Sequence, residues 1–167
     1  MAHNISGYPA RVYAFVEPHP QFIASMHDIL GVAPLIHHSQ GGASCAVFVT
    51  DPTLEILSAE VRTDPYHDPL CYVRFSSFDL FVAHPLPPLN AERYDRQDAY
   101  FAMVTSEILA TEAAGRAWLL VGDLNATSYS SRFRKAFGAY TPLNRYTWRS
   151  HTPLLLPIDH AFGTIPH

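Results

Sequence analysis

The residues best suited to chemistry lie in the run Leu119-Leu120-Val121-Gly122-Asp123-Leu124-Asn125-Ala126-Thr127-Ser128, where an apolar stretch ends in a glycine, an acid and an amide. Strand side chains repeat every two residues, so Asp123 and Asn125 are expected on one side of a strand end, with Gly122 letting the backbone bend. Three more polar residues stand at the ends of apolar runs: Glu17 after residues 11–16, His84 after residues 78–83, and Asp159 within Ile158-Asp159-His160. Hydrolysis of a phosphate ester needs a cation to neutralise charge on the phosphoryl oxygens. It also needs a group that orients or deprotonates a water, and donors to the phosphate. Glu17, His84, Asp123, Asn125 and Asp159 are of these types, and carboxylates with waters suit Mg²⁺ or Mn²⁺ better than zinc.

The elements that must position them follow from periodicity. Residues 11–16 are β-branched and aromatic, and Glu17-Pro18 stops the strand because proline brings no donor to a ladder. From Pro20, Phe22, Ile23, Met26, Ile29 and Leu30 recur at helical spacing, with Gly31 placed to close the helix. Strands are expected at 44–49, 54–61, 70–75 and 78–83, and the pairs Asp51-Pro52, Asp64-Pro65 and Asp68-Pro69 make turns between antiparallel neighbours. A long helix over 91–114 carries Tyr94, Gln97, Phe101, Val104, Ile108 and Leu109 on one face, stops at Gly115 and leads to a strand at 118–121. After Asp123, Ser130 or Ser128 caps a short helix with Phe133 and Phe137, ended by Gly138. A last strand-like piece at 154–162 is broken by Pro157. Strands mixed irregularly with helices predict a sandwiched α/β (α+β) domain with its site at the strand ends.

Length, composition and charge narrow the classes. The 167 residues suit one domain, 1–167, and 48% apolar with 16% charged residues exclude a disordered chain. Cys45 and Cys71 sit in apolar strand-like runs and read as two small buried hydrophobes rather than a disulfide. A net charge of -4 argues against a generic electrostatic grip on duplex DNA. Between Leu124 and Ile158 there is no acid, while Arg132, Arg134, Lys135, Arg145 and Arg149 all fall there, either solvated or supplying a local positive field for a phosphate. The ten histidines do not make a zinc site: His37-His38 is adjacent and no His-Glu-x-x-His occurs. A serine hydrolase lacks its Gly-x-Ser-x-Gly. No basic and apolar leader opens the chain and no apolar run approaches about 18 residues, so it reads as soluble.

Taken in order, His84-Pro85-Leu86-Pro87-Pro88, the Asp123 run, Thr147-Trp148 and Ile158-Asp159-His160 give the chain a resemblance to a known superfamily. It resembles the endonuclease/exonuclease/phosphatase superfamily, the metal-dependent phosphoesterases that include DNase I-like enzymes. The resemblance implies a DNase I-like two-layer β-sandwich flanked by helices, and Mg²⁺ or Mn²⁺ as cofactor with Glu17, Asp123 and Asp159 as its ligands. Asp123 would position or deprotonate the attacking water, Asn125 would hold the phosphate and Asp123 in register, and His84 would donate to a phosphate oxygen. Asp159 would help place a catalytic histidine from a later strand, while His160 reads as packing. Phe15-Val16-Glu17-Pro18 departs from the commoner pattern of Gln before the Glu and an aliphatic after it.

The match spans about residues 12–162. The family's opening strand bears an Asn for the metal, and Asn4 lies too close to Glu17 to occupy it; the closing Ser-Asp-His run is not found. An incomplete sandwich is therefore expected, with open strand edges, low activity and self-association. The run Gly122 to Thr127, followed by Ser130, Phe133 and Arg134, is similar to a bacterial branch whose members often carry membrane helices, implying membrane association in a longer parent. Two readings result. One is a metal-dependent phosphoesterase acting on nucleic acid, phospholipid or a small phosphate; the other is a catalytically impaired descendant serving as a binding or interaction module.

Overall fold

Alternation along each strand decides which layer its side chains enter. In the computed structural model, which describes residues 11–40, 43–142, 148–149, 155–156 and 159–164, β1 (Val12–Val16) turns Val12, Ala14 and Val16 to one face and Tyr13 and Phe15 to the other. Tyr13 and Phe15 meet Ile23 and Met26 of α1 (Pro20–Leu30). β2 (Ile36–Gln40) and β3 (Ala43–Val49) complete a sheet in the order β1-β3-β2. The second sheet contains β4 (Ile56–Thr63), β5 (Pro69–Phe75), β6 (Phe78–Ala83), β7 (Ala117–Asp123) and β10 (Asp159–Gly163), in the order β10-β7-β6-β5-β4. A separate pair, β8 (Trp148–Arg149) and β9 (Leu155–Leu156), is antiparallel.

The two sheets face each other across Ile36, Cys45, Val47, Cys71, Val73, Phe75, Leu80 and Val82. On the outer side of the larger sheet, α2 (Ala91–Ala113) and α3 (Ser131–Phe137) cover a second core containing Tyr72, Phe81, Tyr100, Phe101, Ile108, Trp118, Phe137 and Phe162. The result is a two-layer β-sandwich flanked by helices. β5 and β6 are apolar on both faces because each is covered on both sides, whereas the edge strand β4 is largely exposed. β4 and β5 are antiparallel across the Asp64-Pro65 and Asp68-Pro69 turn as expected, whereas Asp51-Pro52 leads from β3 to β4 in the other sheet and so joins no paired neighbours. β5 and β6 are antiparallel through Ser76-Ser77, and β6 reaches its parallel neighbour β7 through α2. Among the described residues no helix is long and apolar enough to cross a membrane.

Several expectations are corrected. Phe22 and Ile29 of α1, and Tyr94 and Leu109 of α2, are exposed. The covered stripe of α2 is Gln97, Tyr100, Phe101, Val104, Ile108 and Thr111, because the helix seats on a sheet that reaches only that arc. β4 is shifted two residues along the chain, and the His37-His38 pair belongs to β2, a strand not anticipated. Pro157 and residues 150–154 lie outside the described residues, as do Asn4, Gly41-Gly42 and Thr147.

Cys45 and Cys71 are joined in a disulfide, Cα to Cα 6.2 Å, and are not separate buried thiols. Each is an inward-facing residue of a different sheet, so the bond staples β3 to β5 across the sandwich. At the far end of the larger sheet, fully buried Asp79 accepts from Tyr72 Oη at 3.0 Å, Thr111 Oγ1 at 3.2 Å and Arg116 Nη2 at 2.8 Å. Burial pushes its carboxyl up, but hydrogen bonds from Arg116 and Tyr72, with the Arg116 and Arg74 charges, outweigh that and hold it below the usual range. The disulfide closes a separation of 26 residues and should contribute about 3 kcal/mol. Urea unfolding of a Cys45→Ala/Cys71→Val double variant should show that loss, and a reductant should destabilise the wild type while leaving the variant unchanged.

Candidate active site

The parallel pairing of β6 with β7 matches Ala83 to Gly122, so His84 and Asp123, the next residue on each strand, emerge side by side. Antiparallel β10 then sets Asp159 opposite Asp123 in register. From the other sheet, β1 ends at Val16, and Glu17 Oε1 stands 3.4 Å from His84 Nε2. Four strand ends thus deliver Glu17, His84, Asp123 and Asp159 to one end of the sandwich. Gly122 makes this possible by more than bending. Its φ is +147°, and a Cβ there would sit 1.9 Å from the Ala83 carbonyl oxygen, so any side chain would drive β6 and β7 apart.

Asn125 relates to Asp123 differently from the strand alternation expected. β7 ends at Asp123, and Asn125 lies in a left-handed turn at φ 47°, its backbone N–H donating to Asp123 Oδ1 at 2.8 Å. This is an aspartate-closed turn, for which Asn tolerates the left-handed conformation. The Asn125 Nδ2 donates to the Pro85 carbonyl at 2.9 Å, tying the loop after β7 to the loop after β6. Glu17 is 68% exposed and also has a positive φ of 52°, its N–H donating to Ser44 O at 3.1 Å. His84 is only 2% exposed, and among the described residues its Nδ1 has no hydrogen-bond partner. His160 is buried against Phe133 and Phe162 with Nε2 2.8 Å from Ala126 O, a packing residue as expected.

Two residues of α2 support the site: Tyr100, not singled out from sequence, and Gln97, expected from sequence on the covered face but without a role. Tyr100 Oη accepts from the His84 backbone N–H at 3.2 Å and donates to Pro69 O at 2.8 Å. Gln97 Nε2 lies 3.3 Å from both Leu124 O and Asn125 O. The available signal was two polar groups three residues apart on the covered stripe of α2, since buried polar groups require partners.

Asp123 has its carboxyl pushed up, first by burial; the Asn125 N–H opposes this, the Asp159 charge adds to it, His84 opposes and Glu17 adds. As pH rises from the ordinary aspartate range through this raised value, ionising Asp123 costs stability, because the unfolded chain ionises it earlier. Such a set of oxygen donors suits a hard divalent cation. Among the described residues no group of three or more His, Cys, Asp or Glu converges as a ready cage. The donors still fit Mg²⁺, which commonly takes only one or two carboxylates and fills the rest with waters and substrate oxygens.

The basic segment is less free than its composition implied: Arg132 pairs with Asp98 of α2 at 2.7 Å, an acid outside residues 124–158. Arg134 and Lys135 are exposed on α3; Arg145 lies outside the described residues. Because Gly122 sets the separation of β6 and β7, Gly122→Ala should lower unfolding stability by at least about 2 kcal/mol in urea titration. An unchanged unfolding midpoint would contradict this account of the strand pairing.

A model of the Endonuclease/Exonuclease/phosphatase family matches residues 3–165. No curated protein matches the sequence. Among solved structures, the 3'-5' exonuclease NExo from Neisseria meningitidis is similar at 15% identity and TM-score 0.76, over 96% of this chain and 78% of that one. D. rerio TDP2, solved with a single strand DNA product, is similar at 16% identity and TM-score 0.71, over 95% and 72% of the two chains. The human nocturnin catalytic domain, with bound sulfate, is similar at 14% identity and TM-score 0.67, over 95% and 71%. At these identities the likeness establishes the DNase I-like fold, and the family match extends over nearly the whole sequence. The chain belongs to the Endonuclease/Exonuclease/phosphatase family.

Proposed function

We propose that this chain is a phosphoesterase that works with Mg²⁺ or Mn²⁺ and hydrolyses a phosphodiester or phosphomonoester bond. The observation that carries the reading is the convergence of strand ends, with Asp159 paired in register with Asp123 and Glu17 reaching His84. A bound cation, held through one or two of the carboxylates Glu17, Asp123 and Asp159 with waters and substrate oxygens filling the remaining positions, would neutralise charge on the phosphoryl oxygens. Asp123 takes a proton from the attacking water: the Asn125 N–H fixes Oδ1, and its burial makes it a stronger base than an exposed aspartate. His84 donates to a phosphate oxygen. Asn125, with one amide hydrogen committed to Pro85 O, offers the other to the phosphate.

Nucleic acid is the substrate class we place first, because the D. rerio TDP2 and Neisseria NExo structures hold DNA products. The net charge of -4 and the Arg132–Asp98 pair leave little general attraction for long duplexes, which favours ends or single strands. Phospholipid and small phosphate esters are the competing substrates. The missing three-donor group among the described residues favours one second reading, an impaired descendant that binds without turnover.

Hydrolysis of bis(p-nitrophenyl) phosphate tests the proposal. Turnover with Mn²⁺ or Mg²⁺ should vanish with EDTA and fall about 100- to 1,000-fold in Asp123→Asn. Turnover that survives EDTA or the substitution would overturn it, and a folded wild type that is inert with either metal would support the binding module.

A further inference from the structure

The covered face of α2 does more than fill the core. Gln97 and Tyr100, one turn apart, project hydrogen-bonding groups into the loop that follows each of the two site strands. Tyr100 is fully buried, and burial pushes its phenol far up, so the hydroxyl remains a donor to Pro69 O while accepting from the His84 N–H. Gln97, also buried, directs both hydrogens of Nε2 to the carbonyls of Leu124 and Asn125. The Asn125 amide closes the circuit by reaching Pro85 O beside His84. Helix, His84 loop and Asn125 turn are therefore locked to one another by a ring of hydrogen bonds. Leu124 and Ala126 anchor the turn in the apolar core on either side of Asn125, and the hydrogen bonds add direction to that non-directional packing.

We infer that Gln97 and Tyr100 are positioning residues for the reaction: Tyr100 sets the backbone that carries His84, and Gln97 sets the left-handed turn through which Asn125 fixes Asp123. This rests on the phosphoesterase reading above. Neither residue touches substrate. Their effect is transmitted through His84 and Asn125, whose placement matters because a displacement of about 1 Å at reacting groups can cost about 100-fold in rate.

Tyr100→Phe removes only the hydroxyl, and Gln97→Met keeps the length without the amide. Ile108→Val, about two turns further along α2 and away from both loops, is the packing control. With the reporter ester and Mn²⁺, the first two should lower kcat about 10- to 100-fold with KM within about threefold, while the control stays within about twofold. Amide hydrogen exchange, followed by NMR without metal, should quicken at His84 in Tyr100→Phe and across the Leu124 and Asn125 turn in Gln97→Met. Kinetic losses no larger than in Ile108→Val, or unchanged exchange at these amides, would overturn the inference. If the wild type itself does not turn over, the phosphoesterase reading fails, and the exchange measurement alone still decides whether these side chains hold the loops.

Discussion

The close approach of β6 and β7 is the constraint on which the site depends. Their parallel pairing, with Ala83 against Gly122, makes His84 and Asp123 neighbours although 38 residues of loop, helix and strand separate them along the chain. Gly122 admits that approach because there is no Cβ to meet the Ala83 carbonyl. Once it is made, β10 can add Asp159 by pairing with the free side of β7, and β1 can bring Glu17 from the opposite sheet. A slip of one residue in either pairing would reverse side-chain faces and scatter the acids.

The two ends of these strands handle buried negative charge in opposite ways. Asp79, near the start of β6, is surrounded by Tyr72, Thr111 and Arg116, and the arginine keeps it ionised in the interior. Asp123, at the end of β7, is pushed up first by burial, with the Asn125 backbone N–H and His84 opposing and Asp159 and Glu17 adding repulsion. One end is compensated and structural. The other carries the excess negative charge that a divalent cation would relieve, and local departures of this kind are where function is expected in an otherwise consistent fold.

Much of this was legible because the candidate site residues stand where apolar periodicity stops. Glu17, His84, Asp123 and Asp159 each border a run whose strand character is plain, and Ser130, Phe133 and Phe137 mark α3 equally well. What was hidden depends on distance in sequence. The partner of Cys45 lies 26 residues away in another sheet, and no local pattern reports which inward-facing residues meet across a sandwich. Tyr94 and Leu109 follow the helical period yet remain exposed, since period fixes a face but not how much of it the sheet covers. Asn125 was placed correctly beside Asp123 for an incomplete reason: the turn, not strand alternation, joins them.

The four strand ends should form one cation-binding locus. Substoichiometric Mn²⁺ added to isotopically labelled protein, with paramagnetic broadening followed by NMR, measures that without requiring turnover. The amide signals of Glu17, His84, Asp123 and Asp159 should broaden together and first, while that of Asp79, about 15 Å away at the other end of the strands, stays sharp. Broadening that centres elsewhere, or spreads evenly over surface acids, would contradict it.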